Sequence, residues 1–283
     1  MTTIQANAPK YDVRQALKSA SPWIERLARF GYAAKGVVYS LIGILALLSA
    51  LGWGGGETTG SRGVLQRLLE QPFGRVLVGA LAVGLAGYAV WCFVQAIEDP
   101  EQEGSDAKGI MKRLAAFGKG VIYFSLVFAA VSMVVGYRSG GGEDGIDKKT
   151  ATLMSFPFGI WLVGFVGLFI VGYGLRQLYR AWKVKLDDQL NLYRLSAGAH
   201  SAVLKISRFG IGARGVVFAV IGVALVIAAY HANPSEAKGV GEALETVREQ
   251  PYGPWLLGLV ALGLIAYGVY EFVRAKYRRI DPA

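Results

Sequence analysis

Residues 36–54 read GVVYSLIGILALLSALGWG, nineteen positions without a charged side chain. A helix needs roughly 20 residues to cross about 30 Å of hydrocarbon, so this run is long enough to span a membrane. A soluble helix of that length would carry a polar face, and a core strand would be far shorter. Five more uncharged runs follow: Val76–Ile97, Gly120–Tyr137, Phe156–Leu175, Gly215–Tyr230 and Pro251–Tyr270. Backbone polar groups must pair internally in lipid, so each run is predicted as a helix. Composition agrees: 53% of the chain is hydrophobic and 18% charged, against about 25% charged in average soluble proteins. The third and fifth runs reach full length only if their flanking cations enter the membrane.

The chain holds 30 Lys and Arg against 20 Asp and Glu, a net charge of +10. With six spans, both termini and the second and fourth connections share one side. That side takes 22 of the 30 basic residues and the other takes 8. Acidic residues divide 11 and 9, so the two sides carry +11 and −1. The positive-inside rule then places both termini in the cytoplasm, as in an inner-membrane protein. The basic surplus follows span ends, which argues against nucleic acid as a partner. Arg274, Lys276, Arg278 and Arg279 suit the anionic inner leaflet. The first apolar run starts behind Lys10, Arg14, Lys18, Arg26 and Arg29, so no cleavable signal is expected. Tyr11–Leu27 reads as an interfacial amphipathic segment, broken or restarted at Pro22.

The runs also repeat. A shift of 179 residues lays Arg29-Phe30-Gly31 on Arg208-Phe209-Gly210, and Lys35-Gly36-Val37-Val38-Tyr39 on Arg214-Gly215-Val216-Val217-Phe218. It also lays Gln71-Pro72-Phe73-Gly74 on Gln250-Pro251-Tyr252-Gly253, and matches Gly79, Gly84 and Tyr88 with Gly258, Gly263 and Tyr267. A shift of 84 or 85 finds a weaker middle copy, with Lys119-Gly120-Val121-Ile122-Tyr123, Pro157-Phe158-Gly159, Gly164, Gly172 and Tyr173. Two spans per copy keep all three in one orientation, giving parallel repeats about an axis along the membrane normal. The expected fold is therefore an all-α integral membrane bundle of six transmembrane helices with pseudo-threefold symmetry. Its parts are an N-terminal segment (1–28), units at 29–97, 113–182 and 208–277, linkers at 98–112 and 183–207, and a tail (278–283). Val64, Leu65, Leu68 and Leu69, with their counterparts Ala243, Leu244 and Val247, predict short amphipathic helices lying in the outer loops. Pro72, Pro157 and Pro251 suit the first turn of each second helix.

This pattern resembles the bacterial membrane family called domain of unknown function 1206, over about residues 26–277. The likeness rests on [RK]-G-V-[VI]-[YF] opening each first helix and P-[FY]-G opening each second. It implies three two-helix units and supplies no catalytic residues. The middle copy departs from the pattern: Leu114-Ala115 stands for Phe-Gly, and Ser155-Phe156 for Glu-Gln. Mitochondrial carriers also have three two-helix units, but their Pro-x-[Asp/Glu]-x-x-[Lys/Arg] signature is missing.

The recurring cations are candidate binding residues for an anion or an anionic lipid headgroup: Lys35, Lys119 and Arg214. Each lies six residues deeper than Arg29, Arg113 or Arg208, about 9 Å along a helix. The plain alternative is snorkelling to the headgroups. Depth matching predicts a polar cluster within each unit: Lys35/Tyr39/Tyr88, Lys119/Tyr123/Tyr173 and Arg214/Phe218/Tyr267. The plain reading of those tyrosines is that they bind the two helices of a unit together. Gly36, Ser40 and Gly43, with Gly215, Ala219 and Gly222, form small-residue stripes for close helix packing. So do Gly79, Gly84 and Gly87, with Gly164, Gly167 and Gly172. Glu271 is the acid nearest the hydrocarbon, with Arg214 or Arg274 as its expected partner.

Cys92 is the only cysteine, and His200 and His231 sit 31 residues apart without a His/Asp/Glu cluster nearby, so no metal centre, cofactor or nucleophile–base pair is expected. No Walker phosphate loop occurs. The sequence thus reads as a multi-pass membrane protein without a visible catalytic site, structural or accessory, or lipid-interacting. Its expected partners are membrane lipids with anionic headgroups, and no protein partner is legible. The alternative is a channel or transporter for a small solute or anion along the pseudo-threefold axis. A channel predicts a polar cavity holding Lys35, Lys119 and Arg214; a scaffold predicts a dry axis.

Overall fold

Glycine decides how the long helices meet. A computed structural model describes residues 8–53, 56–98, 104, 106–136, 145–183 and 196–278, with side chains from residue 25 onward except 108, 145, 147 and 197. Among the described residues the α-helices are α1 (Ala8–Ala50), α2 (Ser61–Leu69), α3 (Gly74–Ile97), α4 (Ala107–Val135), α5 (Gly145–Met154), α6 (Gly159–Lys183), α7 (Ala197–Tyr230), α8 (Val240–Arg248) and α9 (Gly253–Tyr277). Six are long and apolar enough to cross a membrane: α1, α3, α4, α6, α7 and α9. Each unit is a long helix, a short one and a second long one, as the repeat implies.

The long helices follow one another around the bundle in the order α4, α3, α1, α9, α7, α6, each packed along the next. The ring stays open between α4 and α6, the two spans of the middle unit, which make next to no contact. In the first unit, a methyl at Gly31, Gly84 or Gly87 would stand only 2.6 Å from the Tyr88 nitrogen, 2.7 Å from the Ala34 methyl or 2.5 Å from the Leu27 carbonyl. In the third unit, Gly210 likewise lies against the Tyr267 backbone and Gly263 against Ala213. The middle unit has Ala115 where Gly31 and Gly210 stand, and Phe169 where Gly84 and Gly263 stand. Those side chains cannot enter so tight a crossing, so the helices separate. At Gly118 and Gly172, on the faces left apart, an added methyl would meet nothing within 4 Å.

Between units the small-residue stripes pack tightly. A methyl at Gly43 would stand 2.7 Å from the Ala261 carbonyl and one at Gly268 2.8 Å from that of Gly36, where α1 meets α9. A methyl at Gly174 would stand 2.8 Å from the Gly215 carbonyl and one at Gly222 2.8 Å from that of Gly167, where α6 meets α7. Gly79 and Gly172 are exceptions, since neither has a neighbour.

The Pro-aromatic-Gly motif is a turn, and its proline lies outside the helix. Phe73, Phe158 and Tyr252 take left-handed φ values of 61°, 65° and 61°, and α3 and α9 begin at the glycine that follows. That conformation is costly for an aromatic residue, and it recurs in all three units. Gly74, Gly159 and Gly253 press against carbonyls ending the short helices, at Leu69, Leu153 and Arg248, leaving no room for a side chain. The motif is accounted for by chain geometry alone. Val64 and Leu65 of α2, and Ala243 and Leu244 of α8, are buried, so these short helices close the bundle at its hairpin end.

One expectation about the first helix is corrected. Pro22 does not break the first helix: α1 runs continuously from Ala8 to Ala50, because a proline removes one backbone bond and the turns on either side persist. The first helix of the third unit starts ahead of its repeat, α7 beginning at Ala197; Ala- and Ser-rich residues extend the helix beyond its apolar run.

Exposed Trp161 and Trp182 stand near the two ends of α6. Their separation, about 32 Å at 1.5 Å per residue, matches a bilayer's hydrocarbon thickness. Exposed Phe73, Phe158, Tyr252 and Trp255 join Trp161 in an aromatic belt at the hairpin end.

Candidate functional site

The end of the bundle that carries α1's span start and α9's finish is closed by arginines. Arg29 Nη1 donates to the Ala275 and Lys276 carbonyls at 2.8 and 2.9 Å. Arg113 donates to those of Ala96 and Ile97, both at 2.8 Å. Each satisfies the orphan carbonyls that end the preceding unit's second helix, and its charge complements that helix's C-terminus. These two arginines therefore have structural work.

Deeper in, the tyrosines interlock between units. The ring pairs are Tyr88–Tyr123, Tyr173–Phe218 and Tyr267–Tyr39, with centroids 4.7, 5.4 and 4.7 Å apart and planes at 81°, 83° and 74°. Such edge-to-face contacts suit the aromatic quadrupole. The residues grouped by sequence are thus brought together, but in one shared cluster around the axis and not in three clusters each within a unit. Helices of neighbouring units pack more closely than helices of one unit, so the depth match placed Lys35 by Tyr88 and Arg214 by Phe218 and Tyr267 but left out the contacts between units.

The recurring cations occupy unlike surroundings. Lys35, 2% exposed, donates to Glu271 Oε1 at 2.9 Å, and Glu271 is 0% exposed. Its ammonium also lies 4.1 Å from the Tyr88 ring centre and 5.3 Å from that of Tyr123. Arg274 Nη1 contacts both Glu271 oxygens at 3.2 and 3.0 Å, and the Tyr267 hydroxyl donates to Oε1. Arg274 continues to the Tyr32 hydroxyl at 3.3 Å, where Arg278 also donates. The sequence reading found Arg274 as a partner of Glu271 but missed Lys35.

Arg214 is 8% exposed and touches no carboxylate among the described residues. Its Nε donates to the Tyr39 hydroxyl at 3.1 Å, and its Nη1 to those of Tyr173 at 3.3 Å and Tyr267 at 3.0 Å. Its Nη2 donates to nothing among the described residues. The plane lies over Phe218 and Tyr267, 4.7 and 4.8 Å from their centres. Gln177 Nε2 reaches the Tyr173 hydroxyl at 3.4 Å.

The repeat explains the difference. Lys35 takes its carboxylate from position 271 of the preceding unit around the ring. The equivalent positions are Cys92 for Lys119 and Gln177 for Arg214. Both are neutral, so only one recurring cation in three receives a carboxylate from the fold.

These groups enclose a cavity of about 60 Å³. Lys35, Lys119, Arg180, Arg214 and Arg274 line it together with Tyr88, Tyr123, Tyr173, Tyr267, Tyr270, Gln177 and Ile211; among the described residues no acidic one does. Lys119 and Tyr123 come from α4, and Tyr173, Gln177 and Arg180 from α6, so the cavity lies at the unclosed seam. Beyond the tyrosines, toward the hairpin end, Ile42, Ala46, Val217, Ile221, Leu257 and Leu264 form an apolar core capped by Val64 and Leu244. The axis is therefore polar in one half and packed in the other. Among the described residues, no three His, Cys, Asp or Glu side chains gather as a metal ion would require.

Comparison with known proteins supports the repeat. No solved structure matches the chain. The Bacillus subtilis protein named "Uncharacterized protein YxxB" is similar to it, 31% identical over 263 residues, which cover 93% of this chain and 94% of that protein. The profile of the family described as Domain of Unknown Function (DUF1206) matches three times, at residues 30–99, 114–184 and 209–278. With all three units matched, the chain belongs to that family.

Proposed function

We propose that the protein is a non-catalytic accessory protein of a bacterial inner membrane, its termini cytoplasmic, whose cationic cavity binds an oxyanion of the phosphate or sulfate class. One observation carries this reading: Arg214 is buried on the cavity with only neutral phenol oxygens around it. A guanidinium has five donors and is always charged, and a buried charge is costly unless it is paired. Lys35 and Arg274 share one carboxylate, Glu271, Arg214 has none among the described residues, and Lys119 and Arg180 add charge on the cavity wall. The surplus positive charge favours an anionic guest. Packed side chains toward the hairpin end favour binding over passage.

Thermal unfolding of the purified protein in nonionic detergent, with chloride replaced by phosphate at constant ionic strength, tests this. The wild-type midpoint is expected to rise with phosphate, since a ligand at a hundred times its Kd adds about 2.7 kcal/mol. Arg214→Gln and the milder Lys119→Gln are expected to blunt the rise. An identical response in all three proteins would refute the site. Phosphate efflux from proteoliposomes, abolished by the Lys35→Ala/Lys119→Ala/Arg214→Ala combination, would replace binding with transport.

A further inference from the structure

The seam between α4 and α6 has a consequence for what the cavity holds. Two tight seams within units are closed by glycine against backbone, and the third is held open by Ala115 and Phe169 in place of glycines. On its two sides lie Met111, Leu114 and Phe169, all apolar and exposed, with Gly118 and Gly172 facing open space. Directly inside, next in sequence to those glycines, are Lys119 and Tyr173 of the cavity wall. An apolar cleft thus leads from the lipid-facing surface to a cationic pocket.

Depth fits the same picture. Arg180 lies within two residues of exposed Trp182, at the boundary on the terminal end, and Tyr173 lies about 10 Å deeper than Arg180 along α6. A lipid of that leaflet presents its headgroup at the level of Arg180, with its chains running toward the membrane midplane. The cavity and the cleft are arranged in that order.

We propose that the seam is a lateral entry and that the occupant is an anionic phospholipid, its phosphate held by Lys119, Arg180 and Arg214 and an acyl chain lying between α4 and α6. This inference rests on the anion-binding reading above and adds the source of the anion. A free phosphate from solution would need the pocket but not the cleft. The charge of the pocket excludes a zwitterionic lipid as the preferred guest, because its ammonium would face the same cations.

The test fills the cleft without touching the pocket. Gly118→Phe and Gly172→Phe place a ring where a methyl meets nothing, so both are expected to fold, with wild-type unfolding midpoints in phosphate-free buffer. Native mass spectrometry of protein incubated with phosphatidylglycerol or phosphatidylcholine then reads retained lipid. Wild type is expected to retain one phosphatidylglycerol through detergent exchange, with either variant reducing retention at least about tenfold and phosphatidylcholine retained by none. Stabilisation by inorganic phosphate is expected to persist in both variants. Retention of phosphatidylglycerol unchanged in both variants overturns the lateral route. Phosphate stabilisation without lipid retention in the wild type overturns the lipid and leaves the anion site standing; loss of both removes the site itself.

Discussion

Glu271→Ala is expected to destabilise the protein by about 3–5 kcal/mol, the range for removing one partner of a buried ion pair. The carboxylate is fully buried and receives Lys35, Arg274 and the Tyr267 hydroxyl. Without it, Lys35 remains 2% exposed with a charge and only aromatic faces for company. Arg274 can turn toward Tyr32, but Lys35 has no such exit. The double change Lys35→Met/Glu271→Leu removes charge and counter-charge together, and replacing a buried pair by apolar groups is often neutral or stabilising. Most of the loss should therefore return in the double variant. Equilibrium unfolding of the three proteins decides it: a Glu271→Ala protein as stable as wild type would show that the pair is not buried as described.

The second large effect is at the helix crossing of the first unit. Gly84→Phe is expected to cost about 1–3 kcal/mol or more, the usual penalty for overpacking, and to move α1 away from α3. The Ala34 methyl stands 2.7 Å from where even a Cβ would sit, so no rotamer accommodates the ring. The middle unit already carries Phe169 at the matching position and already has its helices apart. Gly172→Phe, whose surroundings are empty, is the internal control. Spin labels on the hairpin-end halves of α1 and α3 would report the separation. Unchanged distances in Gly84→Phe would mean that glycine is not what sets the spacing.

Much of this fold was legible because lipid leaves few choices. Uncharged runs such as 36–54 read directly as spans, and offsets of 179 and about 85 residues made the units visible. Val64, Leu65 and Leu244 announced the short helices by their spacing. The motif Pro-aromatic-Gly was found but misassigned, because a left-handed Phe73 is set by the approach of Gly74 to the end of α2, which no local propensity encodes. The site was half legible. Lys35, Lys119 and Arg214 stood out by recurrence, and the tyrosines by depth, yet several partners, Glu271 of Lys35 and Tyr39 and Tyr173 of Arg214 among them, lie on other units. Reading the repeat sideways was the missing step: position 271 holds Glu where 92 and 177 hold Cys and Gln, which marks the cations left without a carboxylate. The seam was visible as Leu114-Ala115 but unreadable until Gly31 and Gly210 were seen against the backbone of Tyr88 and Tyr267.

The central claim is that the cavity at Arg214 holds an oxyanion, and the direct measurement is to locate one. In crystals grown with selenate, an anomalous difference map should show selenium where selenate oxygens come within about 3 Å of the Arg214 guanidinium and the Lys119 ammonium. A map with no selenium in the cavity, or an Arg214 turned onto a carboxylate of its own chain, would contradict it.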